Sequence, residues 1–285
     1  MSDINVEKLS AVYEHIWLAH GGGAYEALDR SLHPRPAEML YDFVKGLNLA
    51  AGSAALDVGC GKGNHTAELA RRFHLRVFGI DPVDGNLEIA RDATSGRGLA
   101  ERVTFRKGGM ESIPFEDATF DFIWCRDTLV HVQGLRRGFK ECGRVLKPGG
   151  HMLVFTTYAT ERMEPKEAAD IYGALGIVPE NMSPSYVEGC FAEAGFQALT
   201  NQTIGSELMQ FYEERDGRCT REFMRLARMI QAKERFLAEL GEANYRVTSA
   251  LYHWVIYQLI GKLSSAIYTL VKPAPESAPP PAPAV

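Results

Sequence analysis

The order of strand and helix signals in this sequence predicts an α/β fold, a largely parallel sheet covered by helices on both faces. Three observations carry that expectation. Apolar strand-like runs alternate with helical patterns through the centre of the chain. A glycine-rich loop follows the first of these runs. An acidic residue closes the second. With 285 residues, 46% of them hydrophobic, the chain can bury the core of one large domain, or of one domain with an insertion.

The elements read as follows. Residues 6–20 form a helix with Val6, Leu9, Val12, Tyr13 and Ile16 on one side, ended by Gly21-Gly22-Gly23. Residues 36–47 form a second helix, opened by Pro36, a favourable first-turn residue. Ala54–Val58 is a strand, followed by a glycine loop and a helix at Asn64–Phe73. Arg76–Ile80 is the next strand and Asp84–Ser95 the next helix. Val103–Lys107 and Phe120–Cys125 are strands. A helix over 134–146 ends at Lys147-Pro148-Gly149-Gly150, and His151–Thr157 is a fifth strand. Pro184–Ala194 is a short helix and Phe196–Ile204 a strand. A long helical stretch over about 206–260 precedes a last strand, Ser264–Val271. The expected organisation is lid helices at 1–47, a core at 48–205, a helical cap at 206–262, the final core strand at 263–272, and a disordered Pro/Ala-rich tail at 273–285.

Composition narrows the function. The net charge of −5 shows no basic footprint, which argues against a nucleic-acid substrate. No run of about 18 uncharged apolar residues exists, so no membrane helix is expected. Asp3, Glu7, Glu14 and Glu26 make the start unlike a signal peptide. The five cysteines, Cys60, Cys125, Cys142, Cys190 and Cys219, form neither a disulfide framework nor a zinc spacing. The expectation is a soluble cytoplasmic protein without a metal; the sequence carries no signal for oligomeric state.

The chemistry concentrates in Ala55-Leu56-Asp57-Val58-Gly59-Cys60-Gly61-Lys62-Gly63. Such a loop lets a ligand lie against the main chain and leads it to a helix N-terminus, where free N–H groups attract a carboxylate. The dinucleotide fingerprint G-x-G-x-x-G would need glycine at position 64, which is Asn64. The spacing therefore disfavours a nicotinamide enzyme. Asp81, after Val77-Phe78-Gly79-Ile80, suits a ribose with two free hydroxyls; a turn or cap residue is the alternative. Pro114-Phe115, Phe120-Asp121-Phe122-Ile123-Trp124 and Val145-Leu146-Lys147-Pro148-Gly149-Gly150 follow in order.

This series of motifs, over about residues 50–158, resembles the small-molecule branch of the class I S-adenosylmethionine (SAM)-dependent methyltransferases. The resemblance implies a Rossmann-like seven-stranded sheet of order 3-2-1-4-5-7-6 with the last strand antiparallel. It implies SAM as cofactor, across the C-terminal ends of the first strands. Asp57 and Gly59 would hold the methionine end, with Gly61 allowing close approach. Asp81 would bind the ribose and Pro82 lie against the adenine. Met110 and Glu111 would flank the adenine edge, and the Cys125 carbonyl would face the methionine ammonium. Relatives often carry an acid where Gly109 stands, so Glu111 or backbone groups would have to replace it. The N-terminal helix that carries Tyr13, His15 and Trp17 would close over SAM, with Tyr13 touching the methionine carboxylate or the substrate; an ordinary amphipathic lid residue is the alternative.

Methyl transfer needs an aligned nucleophile and, for some acceptors, a base. His131, in Asp127-Thr128-Leu129-Val130-His131-Val132, is the candidate base; a packing or capping histidine is the alternative. Phe211, Tyr212, Tyr245, Tyr252, His253, Trp254 and Tyr257 in the cap suit a hydrophobic or aromatic acceptor, or serve as core. Arg218, Arg221, Arg225 and Arg228 share one helical face. They read as a solvated face, a site for an acceptor's carboxylate or diphosphate, or a partner surface. The expected function is methyl transfer to oxygen, nitrogen or carbon of a small metabolite, in secondary metabolism. A macromolecule methyltransferase and a non-catalytic SAM-binding protein are the alternatives. No N-P-P-Y-type motif follows the fourth strand, where Cys125-Arg126-Asp127-Thr128 stands.

Overall fold

A computed structural model describes residues 6–21, 24–95 and 98–274. The chain divides into two compact units, residues 1–34 and 35–285. The described part of the first unit is two helices, α1 (Val6–Gly21) and α2 (Ala24–Leu28). Leu9, Val12, Tyr13 and Ile16 lie along one side of α1 at helical spacing. Gly22 and Gly23 of the glycine run, and most of the Pro/Ala-rich tail, lie outside the described residues.

The second unit begins with α3 (Met39–Gly46), three residues after Pro36. Residues 36–38 are not part of that helix. Met39, Leu40 and Tyr41 donate backbone N–H bonds to Pro36, Ala37 and Glu38, a tighter turn that leads into it. The chain then alternates through β1 (Ala54–Val58), α4 (Asn64–Phe73), β2 (Arg76–Asp81), α5 (Asp84–Ser95), β3 (Val103–Lys107) and β4 (Phe120–Arg126). It continues as α6 (Leu135–Val145), β5 (Leu146–Ala159), α7 (Pro165–Leu175), α8 (Pro184–Glu193) and β6 (Gln197–Gly205). Four helices, α9 (Glu207–Asp216), α10 (Arg218–Gln231), α11 (Lys233–Leu240) and α12 (Glu242–Leu259), separate β6 from the final strand β7 (Leu263–Val271).

The strands form one sheet of order β3-β2-β1-β4-β5-β7-β6. β1 to β5 pair in parallel, and β7 is antiparallel to both β5 and β6. All five residues of β1 are buried, as befits a central strand covered on both faces. Strand alternation splits the core into two layers. Leu56, Val58, Ile123 and Cys125 pack with Phe139 of α6 and Phe191 of α8. Ala55, Phe122 and Trp124 pack with Leu69 of α4, Leu87 of α5 and Val44 of α3. The sheet reverses direction of growth at β1, whose neighbours β2 and β4 lie on opposite sides. A crevice opens there at the C-terminal strand ends.

Two departures from the sequence reading have local causes. β5 begins at Leu146, before the Lys147-Pro148-Gly149-Gly150 turn rather than after it, because Leu146 already pairs with Phe120. Lys272 then clasps the turn: Gly149 N–H donates to its carbonyl at 2.7 Å, and its own N–H donates to Gly150 at 2.9 Å. The second departure is α7, which the sequence reading left unassigned. It carries a Glu164/Glu167 capping box and Pro165 in its first turn.

Candidate active site

Two clefts open side by side at the C-terminal ends of the parallel strands. The first, of about 390 Å³, is walled by the loops after β1, β2 and β3: Gly59, then Asp81, Pro82 and Asn86, then the Gly109–Glu111 turn. The second, of about 450 Å³, lies between the ends of β4 and β5 and the helices α9, α10 and α12. Asp127 and His131 line both.

The loop after β1 is held by backbone. Gly59 and Cys60 N–H groups both donate to the Ile80 carbonyl at 2.9 Å. Gly59 has φ +72°, and a Cβ there would run into the Thr128 side chain, with Cγ2 at 2.7 Å. Thr128 is itself a strap, its hydroxyl donating to the carbonyls of Val58 at 3.0 Å and Arg126 at 3.1 Å. Gly61, with φ +51°, faces open space where its Cβ would be. Glycine is thus needed at Gly59 for close approach and at Gly61 for backbone conformation.

Asp81 is 6% exposed, and its carboxylate organises this loop. Oδ2 accepts the Gly61 N–H at 2.9 Å; Oδ1 accepts the Val83 N–H at 2.9 Å and Asn86 Nδ2 at 3.2 Å. A carboxylate has about four acceptor positions, so little capacity is left for a bound diol. Asp57 does not line the cleft. It is buried beneath it, accepting the Thr66 hydroxyl at 2.6 Å, and burial pushes its carboxyl up to about 7 against the Thr66 hydrogen bond. Glu111 accepts the Gly134 N–H at 2.5 Å and so braces the start of α6 from the cleft wall. Pro82 and Met110 also lie in the wall. Cys125 is fully buried in the sheet. Tyr13 belongs to the first unit. The structure therefore gathers Gly59, Asp81, Pro82, Met110, Glu111 and His131 around one cleft, with Asp57 and Cys125 behind it.

His131 sits on a 3-10 turn, Leu129–His131, and its side chain is exposed. Its Nδ1 lies 3.1 Å from the Gly176 carbonyl. A carbonyl only accepts, so Nδ1 carries the proton and neutral His131 presents Nε2 as a lone pair. The turn is clamped from the segment after α7. Val178 N–H donates to the Val130 carbonyl at 2.8 Å. Buried Asn181 donates through Nδ2 to the carbonyls of Leu129 and Val132, both at 2.7 Å. Its side chain fixes two of the three carbonyls that set the pose of His131.

Asp127 is a site residue to which sequence reasoning gave no role. It adopts φ +54°, a left-handed conformation that Asp tolerates better than most residues, and its N–H donates to the Phe155 carbonyl at 2.9 Å. Desolvation raises its carboxyl above the ordinary value, although 54% of its side-chain surface stays open; Arg126 and His131 oppose the rise.

Behind Asp127 runs a chain of polar contacts. Arg126 Nε meets Asp127 Oδ2 at 3.2 Å, and Arg126 Nη1 donates to His65 Nε2 at 2.6 Å. His65 Nδ1 lies 2.7 Å from the Tyr41 hydroxyl. Arginine is always protonated, so Nε2 of His65 must accept and its Nδ1–H must donate to Tyr41. Burial and the neighbouring guanidinium lower His65 to about 4, in keeping with a neutral ring. Tyr41 stacks on Trp124 at 5.4 Å with a 14° interplanar angle, and burial raises it to about 12.

Of the seven cap aromatics, Tyr212 and Trp254 line the second cleft. Tyr245 bonds the Met229 carbonyl, His253 the Ser249 carbonyl and Tyr257 the Glu167 carboxylate. The arginine stripe divides: Arg218 lines the cleft, Arg221 pairs with Asp216, and Arg225 and Arg228 are exposed. All five cysteines are buried free thiols. Among the described residues there is no cluster suited to a metal ion and no helix long and apolar enough to cross a membrane.

Residues 56–154 match a family model described as a methyltransferase domain. The methyltransferase GfsG of Streptomyces halstedii is 37% identical over 120 residues, 42% of each chain, so the match spans less than half of that relative's length. A sarcosine/dimethylglycine N-methyltransferase of Aphanothece halophytica is 27% identical over 235 residues, covering 74% of this chain and 81% of that one. The crystal structure of the [4+2]-cyclase SpnF superposes with a TM-score of 0.67 at 25% identity, over 84% of this chain and 82% of that one. Residues 56–154 are thus a methyltransferase domain, set in a sheet with the strand order that the resemblance to the class I SAM-dependent methyltransferases implied.

Proposed function

We propose that the chain transfers a methyl group from SAM to an oxygen, nitrogen or carbon atom of a small, largely hydrophobic metabolite. The observation that carries this reading is the pair of adjoining clefts sharing Asp127 and His131. One cleft, with Gly59, Asp81 and the Gly109–Glu111 turn in its wall, suits the cofactor; the other, with Phe155, Leu208 and Trp254 among its lining, suits an acceptor with an apolar body. SAM supplies the electrophilic methyl group when bound. The chain's own residues orient the two partners and take a proton where the acceptor has one to lose.

In this reading Gly59 and Gly61 let the methionine portion approach the main chain, and Asp57 supports the loop from beneath through Thr66. Asp81 offers its remaining acceptor capacity to one ribose hydroxyl. Pro82, Met110 and Glu111 bound the adenine, and the Cys125 carbonyl faces the ammonium. His131 Nε2 receives the acceptor's proton, since the Gly176 carbonyl holds the other ring nitrogen as N–H. The helices α9 to α12 serve as the acceptor cap. The free thiols suit a reducing cytoplasm.

Calorimetry with SAM, S-adenosylhomocysteine and NAD tests the cofactor assignment. Binding of the first two and not the third is expected; NAD binding without SAM binding would overturn it. A second reading, cofactor binding without methyl transfer, draws support from the likeness to a [4+2]-cyclase and from the general separation of fold and chemistry. Radiolabel transfer from SAM to a small-metabolite library distinguishes the two.

A further inference from the structure

We propose that the second cleft carries an anion subsite, formed by Arg126 and Arg218, that holds a carboxylate or phosphate on the acceptor. The proposal rests on the reading of that cleft as the acceptor site.

The charges of this cleft do not balance. Its charged lining is Arg126, Arg218 and Asp127, beside the imidazole of His131 and the phenol of Tyr212, set among apolar side chains such as Phe155, Leu208 and Trp254. Asp127 answers one cation, through the single 3.2 Å contact to Arg126 Nε. Arg218 has no ion pair among the described residues; its guanidinium lies 4.0 Å over the Tyr212 ring. A cation above an aromatic face keeps its edge N–H donors free for a ligand. One uncompensated positive charge therefore stands in an apolar cavity, where an anion gains more from pairing than it does in water.

Arg126 is built in rather than draped over the surface. Its side chain is 16% exposed, and its guanidinium sits 5.5 Å from the Phe155 ring. Its one other hydrogen-bond partner, His65, is a neutral acceptor that orients the fork without cancelling its charge. Tyr41 in turn fixes that histidine. Nη2 makes no hydrogen bond to a described residue. Had the second partner been a carboxylate, Arg126 would be neutralised twice over; a neutral imidazole leaves the charge available. The cleft volume of about 450 Å³ accommodates a ligand with an apolar body and one charged end.

The test is a charge series on one short chain: octanoate, octyl phosphate, octanol and octylamine, titrated by calorimetry into the full-length protein with and without S-adenosylhomocysteine. Octanoate or octyl phosphate should bind at least about tenfold more tightly than octanol, the scale of one charge-assisted hydrogen bond, and octylamine more weakly still. The two anionic probes distinguish a carboxylate site from a phosphate site. Arg218→Gln should cut anion affinity about tenfold and leave octanol unchanged, as should Arg126→Gln if it folds. Arg225→Gln, on the same helix outside the cleft, should change neither. Octanol binding as tightly as the anions, or anion affinity intact in Arg218→Gln, would overturn the subsite. S-adenosylhomocysteine binding reports separately on the cofactor cleft: its failure with anion selectivity intact would sink the methyltransferase reading and leave the subsite standing.

Discussion

The two clefts share Asp127 and His131 and differ in what their walls are made of. The cleft proposed for the cofactor is bounded by four short stretches, at Gly59 and within residues 81–86, 108–111 and 127–132. Its shape is set by main-chain bonds, such as those from Gly59 and Cys60 to Ile80, and by one carboxylate, Asp81, that gathers three donors. The acceptor cleft is bounded by side chains from elements far apart in sequence, from Arg126 to Gln258. A wall of backbone tolerates little variation in ligand, because its donors cannot be exchanged. A wall of side chains can change specificity one residue at a time without touching the fold.

The largest expected effect tests whether His131 belongs chemically to both clefts. His131→Ala should lower kcat by about 10²–10⁴, the usual scale of positioned general-base help, while S-adenosylhomocysteine affinity stays within a few-fold. Single-turnover methyl transfer against pH, beside calorimetry, reads both quantities. A drop below about tenfold with an unchanged pH profile would make His131 a wall residue only. Asn181→Ala, which removes the clamp on the same turn, should lower kcat less and leave the pH profile in place.

The same contrast explains what the sequence revealed. Asp57 to Gly63 and Asp81 close two successive strands, so the sequence marked each as a candidate ligand contact, and the family resemblance put them in one site. The family resemblance supplied the strand order that the topology bears out. The acceptor side has no such local signature. Arg126, His65 and Tyr41 are joined by hydrogen bonds spanning 61 and 24 positions, and no periodicity reports a contact of that kind. Asn181 lies after α7, a helix that was missed although Glu164-Pro165 with Glu167 is a start signal. Asp57 shows the opposite limit. Its motif position was legible, but not that it would face Thr66 beneath the loop instead of the cleft.

The next effect has opposite signs on the two sides. Asp57 is raised from its ordinary value to about 7, so the folded state holds its proton more tightly than the unfolded chain. Its contribution to stability is full below about pH 4 and is lost as pH rises towards 7, a change on the order of 4 kcal/mol. His65 is lowered from 6.5 to about 4. Its contribution is full above pH 6.5 and is lost as pH falls through 4, on the order of 3 kcal/mol. Denaturant unfolding of Asp57→Asn and His65→Asn against wild type at pH 4.5, 6 and 7.5 should show gaps that move in opposite directions. Gaps that stay constant with pH, or move together, would break the contrast.

A smaller effect separates two glycines of one loop. Gly59→Ala meets both a positive φ and the Thr128 side chain and should cost about 2–3 kcal/mol of stability. Gly61→Ala meets only the backbone term, about 1–2 kcal/mol, because nothing lies near the new methyl. That methyl would stand where the cofactor is expected to approach, so Gly61→Ala should lose more S-adenosylhomocysteine affinity per unit of stability lost. Unfolding midpoints and calorimetry on the same preparations decide it; equal ratios for the two variants would remove Gly61 from the binding surface.

The smallest effect concerns the strap between the clefts. Thr128→Val keeps the branched shape that fills the space beside Gly59 and removes the hydroxyl that donates to Val58 and Arg126. A single neutral hydrogen bond contributes about 0.5–1.5 kcal/mol net, so stability should fall by about 1 kcal/mol. Thr128 lines the cofactor cleft and not the acceptor cleft. S-adenosylhomocysteine affinity should therefore weaken by less than about fivefold, the equivalent of one such bond, while octanoate affinity holds. The outcome to watch for is a matched loss of both affinities. That result would mean the hydroxyl transmits strain from the loop after β1 to Arg126 and Asp127, and that the two clefts form one mechanical unit despite their different walls.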